Sequence, residues 1–166
     1  MKETEKNIVV READSGDASA VAGLYRQLVS TLAPDKHVNV LEERLAEIRS
    51  DQNNFLWVLE RSGNVLGTAF LTLCLDPMYS RQPFALLDNM VIEQSQQDNG
   101  YGETLLSHIE RLCEQADCTK IMLLSNSKRR SSHRFFQRRG FSGDSKRGFA
   151  KYRSKFERSR SRAPAS

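Results

Sequence analysis

The sequence predicts a single α/β domain of the α+β type, with a mixed central sheet and helices on both faces. Three observations carry this expectation. Apolar segments with the period of strands and of helices succeed one another in the order β-α-α-β-β-β-α-β-α-β-β. A glycine turn joins two long apolar strands into a hairpin, which makes part of the sheet antiparallel. A glycine-bearing loop then leads from a strand directly into a strongly striped helix. No internal repeat and no second domain interrupt residues 1–156, and residues 157–166 read as a separate basic tail.

The elements follow in order. Ile8 to Glu12 is a short β-branched strand. Asp14 to Asp17 supply N-cap chemistry for a helix through Ala20, Val21, Leu24, Leu28 and Val29, spaced to share one face. After a loop from Thr31 to His37 that contains Pro34, a second helix carries Leu41, Leu45 and Ile48 on one side. Phe55–Glu60 and Val65–Leu73 are strands joined through Ser62-Gly63-Asn64. A loop with Pro77 and Pro83 leads to the strand Phe84–Glu93. Leu105, Leu106, Ile109, Leu112, Cys113 and Ala116 then form a helical stripe. Lys120–Ser125 is a strand, Ser131–Arg139 a short helix ended by Gly140, and two last strands are expected from Phe141 onward and over Phe149–Phe156.

Composition narrows the class. At 166 residues, with 39% hydrophobic and 28% charged side chains, the chain can bury a core. No apolar run approaches a membrane span, and the polar start lacks the apolar centre of a signal peptide, so a cytoplasmic, membrane-free protein is expected. Cys74, Cys113 and Cys118 fit neither a zinc knuckle nor a Cys-x-x-Cys redox pair, so they read as reduced and buried, and no metal is expected. The net charge of +4 sits at the end of the chain. Residues 151–166 hold six cations against Glu157 alone, which leaves the rest at −1. From Glu157 onward Arg and Ser alternate with nothing apolar to bury, the composition of a disordered tail. No nucleic-acid partner is expected, because neither a reading helix nor interleaved aromatics accompany the charge.

The stretch from Met90 to Leu106 is the most informative. Its loop reads Gln97-Asp98-Asn99-Gly100-Tyr101-Gly102 and runs into the helix through Glu103 and Thr104. A helix N-terminus offers orphan N–H groups and a positive dipole end, and glycines let the main chain approach a phosphate. A dinucleotide fingerprint would need a third glycine after the first strand, and a P-loop would need Lys-Ser/Thr where Glu103 follows Gly102. Both are excluded.

Further on, Ser132-His133-Arg134-Phe135-Phe136 and Gly140-Phe141 follow a strand that ends at Ser125-Asn126. Here the chain resembles the GNAT superfamily of N-acetyltransferases. The family's loop pattern Arg/Gln-x-x-Gly-x-Gly/Ala is met by Gln97, Gly100 and Gly102. Its second pattern, Ala-His-x-Phe-Tyr-x-x-x-Gly-Phe, is met in part by Ser132, His133, Phe135, Phe136, Gly140 and Phe141. This second segment also resembles small aminoalkylphosphonate acetyltransferases. The resemblance covers roughly residues 7–156 and implies a sheet splayed at an acetyl-CoA cleft. It further implies that main-chain groups of Met90, Val91 and Ile92 meet pantetheine, and that one N–H near Met90 polarises the acetyl carbonyl. The N–H groups of Gln97, Asp98, Asn99, Gly100, Tyr101 and Gly102, with Glu103 and Thr104, would hold the pyrophosphate. Asn126 would touch the pantetheine amide, and homodimers are frequent among such relatives.

Two positions depart from the family. Asp98 places a carboxylate beside the expected phosphates, a cost unless it turns away or caps a turn. Phe136 stands where many relatives carry a tyrosine that protonates the departing thiolate, leaving Tyr79 or water to substitute. The expected general base is Asp88, an acid in an otherwise apolar strand, where desolvation would favour base work. The alternative for Asp88 is an acid on the solvent side of the strand. Lys128, Arg129, Arg130, Arg134, Arg138 and Arg139 form a basic segment from which one or two cations would meet the CoA 3′-phosphate, the rest being a solvated face. Acceptor choice belongs to the loops Thr31–His37 and Asp76–Pro83, where Lys36, His37 and Arg81 suit a small amine that also bears an anionic group. Competing readings are acetylation of a protein N-terminus or lysine, and a module that holds CoA without catalysis.

Overall fold

The computed structural model describes residues 7–30 and 37–156. These fall into two compact units, one ending at Leu123 and one beginning at Leu124. The predicted substrate loop at 31–36 and the basic tail at 157–166 lie outside the described residues.

The first unit is a five-stranded mixed sheet with strand order β1-β2-β3-β4-β5. Its elements are β1 (Ile8–Glu12), α1 (Ala18–Ser30), α2 (Glu42–Ser50), β2 (Asn54–Arg61), β3 (Asn64–Cys74), β4 (Phe84–Ile92), α3 (Tyr101–Gln115) and β5 (Ile121–Leu123). Strands β1 to β4 pair antiparallel, and β5 runs parallel to β4. The hairpin between β2 and β3 turns on Ser62 and Gly63, at φ 50° and 82°. Positive φ at both central residues is the mark of the type I′ turn, whose twist matches that of the strands. A single turn of 3₁₀ helix precedes α1, where Asp14 and Asp17 cap each other's backbone N–H groups.

Successive residues of β2 face opposite layers. Leu56 and Val58 pack with Ala13, Ala18, Val21 and Leu45 under α1 and α2. Trp57 instead meets His108 of α3, with ring centroids 4.4 Å apart. Both faces of the central strands are therefore covered, which explains their nearly unbroken apolar sequence. The buried Leu105, Leu106, Ile109 and Cys113 are the observed face of the α3 stripe.

Two irregularities shape β4. Gly67, Thr68 and Phe70 of β3 pair with Ile92, Val91 and Asp88, so Asn89 and Met90 together stand opposite Ala69. This is a β-bulge, and Asn89 takes a left-handed φ of 48° to form it. On its other edge, only Ala85, Leu86 and Leu87 of β4 pair with β5, at Ile121, Met122 and Leu123. Pairing on that edge stops at Leu87, where β5 itself ends at Leu123, so Asp88 to Ile92 have no partner on β5.

The second unit contains one helix, α4 (Arg130–Arg138), followed by Gly140 at φ 89°. The two expected last strands are not formed. Residues 141–152 are irregular, with a 3₁₀ turn at Arg153–Lys155, and Phe149, Tyr152 and Phe156 are exposed. The reason lies in their spacing of three and four residues, which cannot place all three on one face of a strand. Among the described residues, no helix is long and apolar enough to cross a membrane. No cluster of three or more His, Cys, Asp or Glu among them could hold a metal.

Candidate active site

The loop between β4 and α3 is ordered by its own side chains. Glu93 accepts hydrogen bonds from the Ser95 N–H and hydroxyl and from the Gln27 amide of α1. These bonds hold its carboxyl below the usual range, with the Ser95 hydroxyl contributing most. The Gln27 carbonyl in turn receives the Gln94 N–H at 2.9 Å. Gln97 turns its side chain back toward the Ile92 carbonyl, and Asn99 toward that of Gln96. The loop is thus fastened to α1 and to the end of β4 before it reaches the glycines.

Its backbone then alternates hand. Asp98 and Gly100 are both left-handed, at φ 66° and 78°. Alternating conformations of this kind turn successive N–H groups into a concave nest suited to anions. Gly100 is the N-cap of α3 and supplies no side-chain cap, so the first turn keeps N–H groups for a ligand. A Cβ at Gly100 would meet nothing within 4 Å, which leaves that space open. Tyr101 is buried and its hydroxyl accepts from Arg61 at 2.7 Å, so only its main chain belongs to the nest. The Thr104 hydroxyl is occupied by the Gly100 carbonyl. Asp98, Glu103 and Thr104 are exposed. Asp tolerates the left-handed region better than most residues, which accounts for Asp98 at this turn. These features fit a pyrophosphate held by main chain.

On β4, Val91 is buried opposite Thr68, and Met90 and Ile92 are half-buried. Asp88 is exposed, so the expected desolvated carboxylate is not found. The physical reason is the bulge. It opens the strand at this point, and the Asp88 carboxylate accepts the N–H of Asn89 at 2.8 Å. Asp88 pairs with Phe70, and Phe70 packs in the cluster beneath α1 and α2, so Asp88 faces that layer.

A residue not foreseen from the sequence lies on the same layer. Tyr25 of α1 packs against the same cluster, and both Asp88 and Asn89 act on its hydroxyl. Burial pushes the phenol up to about 12, the Asp88 charge adds to the rise, and hydrogen bonding with Asn89 opposes it. In the sequence Tyr25 is one more member of the α1 stripe, four residues after Val21. Nothing ties it to Asp88 until register and bulge are known.

In the second unit, Asn126 uses its side-chain oxygen to take the Lys128 N–H, and its own carbonyl is held by the His133 ring at 2.9 Å. His133 is therefore a bracing residue for this turn. Phe136 sits in an aromatic trio with Phe135 and Phe141, at centroid distances of 5.3 and 5.6 Å. Nothing in its ring can donate a proton. Of the exposed loop before β4, Tyr79 and Arg81 lie on the surface, as does His37.

The pattern of the acetyltransferase (GNAT) family matches residues 24–141. Amino-acid acetyltransferase of Neisseria meningitidis serogroup A is 27% identical over 137 residues, or 82% of this chain. The chain spans 28% of the length of that relative. An acetyltransferase structure from Agrobacterium tumefaciens, described as putative, superposes with a TM-score of 0.76 at 25% identity, over 87% of this chain and 99% of the other. Glucosamine-6-phosphate N-acetyltransferase from Arabidopsis thaliana shares the fold at 18% identity, with a TM-score of 0.73 over 89% of this chain and 99% of the other. A nest at the start of α3, a bulged β4 and a match over most of the sequence agree with one another, and the chain belongs to the GNAT acetyltransferase family.

Proposed function

We propose that the protein is an N-acetyltransferase that moves the acetyl group of acetyl-CoA to the primary amine of a small molecule carrying an anionic group. The observation that supports this best is the bulge in β4. It sets an acid, Asp88, one residue before the distorted stretch and nine residues before the phosphate nest begins at Gln97.

Acetyl-CoA supplies an activated thioester carbonyl. In this reading the nest from Gln97 to Gly102, with Glu103 and Thr104 at the helix start, holds the pyrophosphate through main-chain N–H groups. Main chain of Met90, Val91 and Ile92 lies along pantetheine, and an N–H at the bulge faces the carbonyl oxygen as charge develops there. Asn126 is assigned to the pantetheine amide. Asp88 removes the proton of the amine, directly or through water, as nitrogen bonds to the acetyl carbon and the carbon–sulfur bond breaks. Phe136 cannot protonate sulfur, and a thiolate leaves without much help. The Neisseria relatives act on amino acids, by their description, and such acceptors join an amine to a carboxylate. Exposed His37 and Arg81 suit that anionic part.

The test follows free thiol when the protein is mixed with acetyl-CoA and a panel of amino acids, aminoalkyl phosphates and phosphonates, plain amines and peptides. Turnover is expected with anionic small amines, and Asp88→Asn is expected to lower kcat about 100-fold or more with CoA binding kept. Saturable CoA binding without thiol release from any acceptor would refute the reading, and peptide-only turnover would replace it with protein acetylation.

A further inference from the structure

We propose that Gln27 is a positioning residue for acetyl-CoA, whose amide clamps the start of the phosphate loop to α1 and so fixes which main-chain N–H groups remain for the pyrophosphate. This deepens the acetyl-transfer reading and rests on its assignment of that loop. Gln27 is half-buried on α1, three residues after the buried Leu24. Its base is held in place, because α1 packs on β3 and β4. The amide makes two bonds of opposite sense. Its Nε2 donates to Oε1 of Glu93 at 3.2 Å, and its Oε1 accepts the Gln94 N–H at 2.9 Å. A carboxylate could only accept and an ammonium could only donate, so the two bonds together call for an amide.

The consequence runs along the loop through successive hydrogen bonds. Oε2 of Glu93 accepts the Ser95 N–H at 2.7 Å and the Ser95 hydroxyl at 2.5 Å. The Glu93 carbonyl accepts the Gln96 N–H at 2.9 Å. The Asn99 amide then donates to the Gln96 carbonyl at 3.1 Å, between the two left-handed residues of the nest, Asp98 and Gly100. The N–H groups of Gln94, Ser95 and Gln96 are thus used inside the protein, and the run that can turn toward an anion starts at Gln97. Charge argues the same way. A carboxylate just upstream of a pyrophosphate repels it, and Glu93 is turned instead onto donors from Gln27 and Ser95. Without the Gln27 amide, Glu93 loses one of those donors and the Gln94 N–H loses its acceptor. The turn at Gln94–Gln96 is then released from α1, and the nest that hangs from it through Asn99 shifts with it.

The experiment measures CoA affinity calorimetrically in the full chain, with melting temperature as the folding control. Gln27→Ala is expected to raise the Kd for CoA about tenfold, the scale of one or two hydrogen bonds that touch a charged group. Gln27→Glu should weaken binding at least as much, because two carboxylates then face each other. The double variant Gln27→Glu with Glu93→Gln exchanges amide and carboxylate and restores a donor and an acceptor on each side. It should return to within about twofold of wild type, a coupling that only a direct pair produces. S-acetylpantetheine, which carries no pyrophosphate, separates positioning from general damage. With an acceptor that turns over, Gln27→Ala should raise the acetyl-CoA KM about tenfold, and kcat/KM for S-acetylpantetheine should stay within about twofold of wild type. Unchanged CoA affinity in Gln27→Ala, no recovery in the double variant, or equal losses with both thioesters would overturn the clamp. Saturable CoA binding that weakens as described, with no acetylation of any amine, would instead sink the transfer reading and leave the clamp standing.

Discussion

Gly100 shows how one position can be demanded twice, by conformation and by space. Its φ of 78° favours glycine, and the volume beside it is empty of protein. Gly67 is a different case, since a Cβ there would lie 2.6 Å from Cδ1 of Ile92, a packing constraint inside the sheet. Gly100→Val should therefore leave the fold in place at a cost of about 1–2 kcal/mol for a side chain in the left-handed region. Its calorimetric affinity for CoA should drop at least about tenfold, because the new methyls enter the phosphate space. Undiminished affinity would remove this loop from the site. Legibility at this scale was uneven for a physical reason. Gly100 and Asp88 stand in local patterns that a reader of sequence can weigh. Tyr25 is tied to Asp88, 63 positions later, only by strand register, which sets the Asp88 neighbour Phe70 against the cluster that Tyr25 also packs on.

At the scale of elements, nine of the eleven expected segments are present in the expected order, because each has a period of its own and a stop signal at its end. The two that failed, after Phe141, rested on aromatics without alternation. The bulge in β4 is not legible in the sequence, since no residue in Asp88-Asn89-Met90 announces it apart from an Asn able to take positive φ. The bulge also makes a prediction. Deleting Asn89 would let β3 and β4 pair in one continuous register. Side-chain alternation would return and Asn89's contribution to the α1 layer would vanish. The sheet should survive, since its core residues on β2 and β3 are untouched, so circular dichroism and a cooperative thermal transition are expected to persist. Acetyl transfer should fall below detection. Retained turnover would mean that the bulge is a structural irregularity without a part in the chemistry.

The molecule as a whole should lose stability on the acid side in two stages, one traceable to the half-buried His108 and one to the buried Asp17. His108, against Trp57 between α3 and the sheet, has its pKa lowered chiefly by burial and further by Arg111. A histidine depressed in the folded state resists protonation there, so stability declines as pH falls below the unfolded value of about 6.5. Asp17 is buried and paired with Arg11 through bonds of 2.8 and 3.0 Å, while Arg11 also reaches Glu60 at 2.9 Å. That pairing lowers the Asp17 carboxyl. A depressed carboxyl contributes stability that is complete above its unfolded value of about 3.9 and is lost as pH falls through the lower folded value. Asp17→Asn should cost about 2 kcal/mol in urea unfolding at neutral pH, less than a fully buried pair would, because Arg11 is partly exposed and keeps Glu60. The difference from wild type should shrink below about pH 4, where the native carboxyl is also being neutralised. His108→Phe, which keeps an aromatic ring beside Trp57, should flatten the decline between about pH 7 and 5 and leave the lower stage intact. Unfolding curves that descend in parallel for all three proteins would place the acid sensitivity elsewhere in the chain.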